Sequence, residues 1–150
     1  MIVWSLWATI PAMRYVHLGL GVSLCIWAAL SAEKVINLSM TVRANHYARP
    51  SRLLREGVYA QVRHPMYGRF ILMFAGLGFA LCSKLGIGVG LAAAALWTFN
   101  AVFEEKTDLI PHFGRQYLDY AATVRPMLFT PLQGTFLAVL MVVSVCGLFN

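Results

Sequence analysis

Acidic residues are scarce in this chain. Six Asp and Glu stand against twelve Lys and Arg in 150 residues, and charged residues make up only 12% of the composition. An ordinary soluble domain carries about twice that fraction, so a water-facing globule is the first class to be excluded. Cysteine is nearly as sparse. Cys25, Cys82 and Cys146 stand isolated in apolar surroundings without CxxC spacing, which argues against disulfides or a thiolate metal site and for small buried side chains. His17, His46 and His112 share no ligand-like spacing, so no metal is expected. The glycine clusters Gly76-Leu77-Gly78 and Gly86-Ile87-Gly88-Val89-Gly90 follow no predicted strand; they read as close-packing positions between membrane helices and not as a dinucleotide turn. The N-terminus lacks a basic start followed by a clean cleavage site, so no removable signal peptide is expected.

What is present is hydrophobicity, 59% of the residues, arranged in blocks long enough for the bilayer to be the solvent. The blocks predict an all-α, polytopic membrane helical bundle of four to five transmembrane helices, one domain over residues 1–150. The spans are Val16 to Ala32 or a few residues beyond, Met66 to Cys82, Ile87 to Phe103, and Leu128 to Phe149. Met1 to Ala12 is too short for an ordinary span and is the reason for the range in the count. Ser83-Lys84-Leu85-Gly86 is expected to be the tight turn of an antiparallel hairpin. Glu33-Lys34 reads as an end-of-span pair.

The net charge of +6 is concentrated rather than spread: Arg43, Arg49, Arg52, Arg55, Arg63 and Arg69 fall in one connecting stretch. A basic loop between apolar spans is a cytoplasmic topology signal, not a nucleic-acid surface. It also suits anionic lipid headgroups. Lys106, Arg115 and Arg125 put the segment after the hairpin on the same side, where Tyr117, Tyr120 and Val124 recur at i, i+3 and i+7, one face of a helix. A hairpin that leaves and returns to the same face brings Arg63-His64-Pro65-Met66-Tyr67 beside Glu104-Glu105. Taken singly these residues are ordinary: cations snorkel at an interface, and proline opens helices. An acidic pair at the end of a helix is not ordinary, because the macrodipole favours cations there; it implies a positive partner. The convergence of these groups at one membrane–water interface reads as a site.

"LLREGVYAQVRHPMY" (Leu53 to Tyr67) resembles the entry motif of the isoprenylcysteine carboxyl methyltransferase family, a G-x-Y pattern ahead of R-H-P-x-Y. "EEKTDLIPHFGRQYLDY" (Glu104 to Tyr120) resembles that family's second motif, and the related phospholipid methyltransferases share the layout. The motif-bearing core covers about residues 53–125. Two departures are visible. Arg69 stands where the family has glycine, with Gly68 one place early. Counted back from Phe113, Glu105 takes the first acidic position and Lys106 the second, with Glu104 fitting after a shift of one residue.

The resemblance implies a membrane enzyme that binds S-adenosylmethionine in a cytoplasm-facing pocket without a Rossmann domain. On that reading Arg63 and His64 meet the donor's carboxylate, Pro65 holds the loop, Glu105 accepts from ribose hydroxyls or the α-ammonium, and Tyr67, Tyr117 and Tyr120 offer ring faces. Glu105 and Arg69 are the catalytic candidates, Arg69 as a headgroup partner at the mouth and Glu105, or His64 in its place, as a base for an amine or thiol acceptor. A carboxylate acceptor would need no base. The acceptor is expected to be amphipathic or lipid-like and to arrive from the bilayer. A membrane reductase using NADPH on the same scaffold and a non-catalytic membrane subunit are the alternatives.

Overall fold

The computed structural model describes residues 11–43, 49–81 and 83–149, with side chains from residue 15 to residue 142. Residues 1–10, His46, Cys82 and the side chain of Cys146 lie outside this description, and with them most of the expected short helix at Met1 to Ala12. Among the described residues there is no strand. The order is α1 (Pro11–Met40), a short 3₁₀ turn (Gly57–Ala60), α2 (Pro65–Leu81), α3 (Lys84–Glu104), a π-helical turn (Glu105–Leu109), α4 (Ile110–Phe113), α5 (Arg115–Thr123) and α6 (Pro131–Phe149).

The burial pattern is inverted relative to a soluble protein. On α1 the buried positions include Gly21, Ala28, Ala32 and Val35, whereas Leu18, Leu20, Ile26, Trp27 and Leu30 are exposed. Small residues inward and large apolar residues outward are what helix packing in lipid produces, since lipid is as apolar as leucine. The seam with α2 is correspondingly tight. A Cβ at Gly21 would lie 2.6 Å from the carbonyl oxygen of Gly76, and one at Gly76 would lie 2.9 Å from that of Gly21. Only hydrogen fits on either side. This places the Gly76 cluster in the packing role its sequence context indicates.

Two helical stretches, Tyr15–Met40 and Lys84–Phe113, are long and apolar enough to cross a membrane, and Pro65–Leu81 and Pro131–Val142 are shorter apolar helices. The first helix continues past the expected end near Ala32 to Met40, because no proline or glycine interrupts Glu33 to Met40. Thr41 then closes it, its hydroxyl donating to the Leu38 carbonyl at 2.7 Å. The hairpin turn is shorter than expected. Ser83 accepts the Gly86 amide at 3.0 Å, an N-cap, so Lys84, Leu85 and Gly86 already belong to the first turn of α3.

At its far end α3 does not stop at Phe103. The chain continues through the π-helical turn and α4 until Gly114, whose φ of 53° breaks the run. The dipole argument for the acidic pair therefore loses its premise, since Glu104 and Glu105 sit within a continuous helical run. Beyond α5 the chain returns to the start of α2. The Arg63 amide donates to the Pro126 carbonyl at 3.0 Å and the His64 amide to that of Met127 at 2.7 Å. That pairing sets the beginning of α2, the end of α3 and α5 around one point.

Candidate active site

Glu105 is the centre of that point. Its Oε1 accepts from Arg63 Nε at 2.9 Å, from His64 Nε2 at 3.0 Å and from the Tyr117 hydroxyl at 2.8 Å. The other ring nitrogen of His64 faces Glu104, with Nδ1 at 3.4 Å from Oε2. An imidazole placed between two carboxylates is drawn toward the form with a proton on each nitrogen. Burial works against that charge, but the two carboxylates prevail and hold His64 above the ordinary imidazole value. The carboxylates respond in the opposite sense. Burial alone would raise Glu105, yet the bonds from His64, Tyr117 and Arg63 lower it to about 2. Glu104 is also lowered, the His64 and Tyr67 contacts outweighing its burial.

Arg63 is a brace. Besides Glu105, its Nη1 reaches the carbonyls of Val124 at 3.1 Å and Arg125 at 3.0 Å. The arginine thereby clamps the returning segment to the start of α2. Tyr67 is stacked against two rings, His64 with ring centroids 5.7 Å apart and Trp97 at 5.4 Å. Tyr117 and Tyr120 are 2% and 4% exposed and pack with Leu109 and Val124, the face indicated by their spacing. The Tyr120 hydroxyl donates to the Tyr59 carbonyl at 2.7 Å. Burial pushes the Tyr117 hydroxyl well above the ordinary phenol value, with its bond to Glu105 adding to the effect. Burial likewise takes Tyr59 and Tyr120 up to about 12.

These groups form the floor and one wall of a concavity of about 580 Å³, open mouth included. Arg63, His64, Pro65, Tyr67, Tyr117 and Tyr120 all line it, whereas Glu105 does not and is joined to it through its bonds to Arg63, His64 and Tyr117. Arg69 does not line it; it faces a separate recess on the other side of Pro65.

Of the two residues competing for the second acidic position, Glu104 lines the concavity and contacts His64, whereas Lys106 does neither. Reading the sequence missed Arg43 and Tyr59, both on the wall. Arg43 counted only as a topology charge, although its Nη2 lies 3.9 Å from Glu104; Tyr59 was already visible as the tyrosine of the G-x-Y pattern.

The family model described as phospholipid methyltransferase matches residues 12–116. The chain belongs to the phospholipid methyltransferase family. Arg63, His64, Glu104 and Glu105 fall inside the matched residues, and Tyr117 and Tyr120 immediately after them. The family member is 37% identical over 75 residues to protein-S-isoprenylcysteine O-methyltransferase B of Arabidopsis thaliana, covering 49% of this chain and 37% of that protein. It is 26% identical over 121 residues to the protein-S-isoprenylcysteine O-methyltransferase of Tribolium castaneum, covering 76% of this chain and 43% of the relative. With the Mus musculus protein of the same name the identity is 38% over 74 residues, 48% of this chain and 25% of the relative. The chain thus spans less than half the length of each of these relatives. No solved structure matches it.

Proposed function

We propose that this family member is an integral-membrane methyltransferase that moves a methyl group from S-adenosylmethionine to the carboxylate of a lipid-like or isoprenoid-bearing acceptor. In this reading α1, α2, α3 and α6 all cross the bilayer, the spanning part of α3 being about residues 87–103. The concavity faces the cytoplasm, on the side of the arginine-rich loop. The 17 residues of α2 rise about 25 Å, close to the hydrocarbon thickness.

The concavity suits the donor. Arg43 and Arg52 on its wall offer cations to the amino-acid carboxylate, and the tyrosines and Phe113 offer apolar and aromatic surface to the adenine and the sulfonium. Glu105 Oε1 already accepts three bonds, and Glu104, the carboxylate on the wall, is the acceptor for a donor hydroxyl or ammonium. Arg63 and His64 act one step back, by holding the two glutamates in place.

The observation that carries the carboxylate assignment is that the imidazole and the two carboxylates are already engaged with one another: Glu105 Oε1 accepts from Arg63, His64 and Tyr117, and the second ring nitrogen of His64 faces Glu104. His64 is raised above the ordinary imidazole value by the two carboxylates, the phenols of Tyr59, Tyr117 and Tyr120 are raised by burial, and Glu104 and Glu105 are weakened as bases. A general base works best with a pKa near the operating pH. When bound, S-adenosylmethionine supplies an electrophilic methyl group, and its transfer to a carboxylate oxygen breaks the C–S bond, leaves the electron pair on a neutral thioether and releases no proton. Positioning and exclusion of water are then what the protein has to provide. The names of the relatives, all O-methyltransferases of an isoprenylated cysteine, support the same reading.

The test is to reconstitute the purified chain in lipid bilayers with labelled methyl donor and to offer matched prenyl or acyl amphiphiles ending in a carboxylate, an amine or a thiol. A base-labile methyl ester on the carboxylate series is expected. Base-stable label on the amines would overturn the carboxylate assignment. Binding of NADPH in place of the methyl donor would overturn the methyltransferase reading itself.

A further inference from the structure

Arg69 stands apart from every other arginine of the basic stretch. Arg43, Arg49, Arg52 and Arg63 each meet a carboxylate, and Arg55 donates to the Gln116 carbonyl. Arg69 has no ion pair or hydrogen bond among the described residues, and its Nε is buried without a partner. Its guanidinium is held instead over the ring of Trp27 on α1, 5.0 Å from the centroid. A stacked arginine keeps its in-plane N–H fork free to meet an oxyanion.

The fork borders a recess of about 260 Å³, open mouth included, which Gln61, Thr130 and Gln133 also line. Gln133 uses its Oε1 to accept the Thr130 amide at 3.2 Å, which leaves its NH₂ group as a further donor. Val58, Val62 and Leu128 supply the apolar remainder. Pro65 borders both this recess and the larger concavity, so the two lie back to back across the first turn of α2. Arg69 is four residues into that helix, about 6 Å below its start. This is the depth at which long basic side chains meet lipid headgroups. A buried guanidinium nitrogen facing donors and apolar surface, with no acid beside it, lacks one component: an anionic oxygen.

We propose that the Arg69 recess is a second binding site, for the oxyanion headgroup of a membrane amphiphile, a phosphate or carboxylate whose chain leaves between the helices into the bilayer. It goes beyond the methyltransferase reading and does not depend on methyl donor binding.

Full-length protein in nanodiscs of phosphatidylcholine containing a minor fraction of phosphatidate is released into the gas phase, and retained lipids are counted by native mass spectrometry without methyl donor. Wild type is expected to retain phosphatidate over phosphatidylcholine. R69Q should weaken that preference by about tenfold, and R69K should keep part of it. Helical circular dichroism and a monodisperse elution profile establish that both variants are folded. Equal retention of the two lipids by wild type, or unchanged retention in folded R69Q, would overturn the proposal. A parallel arm adds inorganic phosphate: Arg69-dependent phosphate binding without lipid preference would overturn the amphiphile assignment in favour of a soluble anion. Because no methyl transfer is read, failure here leaves the proposed reaction standing, and failure of that reaction leaves this site standing.

Discussion

At the scale of single residues the site depends on one oxygen atom. Three donors meet at Glu105 Oε1; Arg63 is a cation and His64 is drawn toward its protonated form, in a part of the molecule where Arg63 and Glu105 side chains are only 11% and 15% exposed. Removing one neutral donor and removing the anion should therefore differ in kind. Tyr117→Phe keeps the ring in its buried cluster and loses one bond, for an expected cost of about 1 kcal/mol. Glu105→Gln leaves Arg63 and His64 without their shared counter-charge and is expected to cost about 3 kcal/mol. Denaturation in detergent would measure both, and equal losses would mean that the charge at Glu105 contributes nothing beyond hydrogen bonding.

The same residues set a pH window. His64 is raised above its ordinary 6.5, so its contribution is complete below that value and fades as pH climbs through the raised one. Glu105 is depressed from 4.5 to about 2, so its contribution is complete above 4.5 and fades as pH falls toward 2. Stability should form a plateau from just above 4.5 to about 6.5 and decline from there toward the raised His64 value. His64→Gln should lower the plateau and flatten its alkaline side, as melting temperature against pH would show. An alkaline limb unchanged in His64→Gln would assign that limb to another group.

At the scale of elements, what positions the site is a set of close approaches and one left-handed glycine. Gly114 ends α4 at φ 53° and ψ −130°, a region closed to residues with a Cβ. Gly114→Ala meets no neighbouring atom and so should act through the backbone alone, costing about 1–3 kcal/mol. Because α5 hangs from this turn, the variant should also weaken methyl donor binding by displacing Tyr117 and Tyr120, which calorimetry would detect. Undiminished affinity would show that α5 is held by its own packing instead.

The periodicity of Tyr117, Tyr120 and Val124 made α5 legible, because a buried helical face leaves a 3.6-residue pattern. The π-helical turn at Glu105–Leu109 had no such trace, since one extra residue in a turn changes hydrogen-bond partners and not composition. Reading an acidic pair at a helix end followed from that gap.

At the scale of the whole molecule the proposal requires the loop before α2 and the segment after α3 to share one side of the membrane. Ser51 and Gln116 are both exposed. Cysteines placed there should react with an impermeant reagent from the cytoplasmic side only. Labelling on opposite sides would contradict the packing of α5 against the start of α2 as well as the reaction. Access from the bilayer makes a second demand. Each buried methylene contributes about 0.8 kcal/mol, so turnover at low acceptor concentration should rise steeply with prenyl or acyl length. A flat series would place the acceptor's entry on the aqueous side.

Composition and block length alone determined that the chain is helical and apolar, and the order of the two motifs across a hairpin determined that Arg63, His64, Glu104 and Glu105 meet. Those are consequences of periodicity and of a chain that must return to the face it left. Which of these groups face a ligand was decided only by the tertiary structure. Arg63 turned inward as a brace because the carbonyls of Val124 and Arg125 arrive beside it. Tyr67 stacks against His64 and Trp97. Arg69, four residues from Pro65, points away from the concavity toward Trp27. Apart from His64 beside Tyr67, these partners lie 30 to 62 positions distant in the chain, and no local pattern of residue types carries that information.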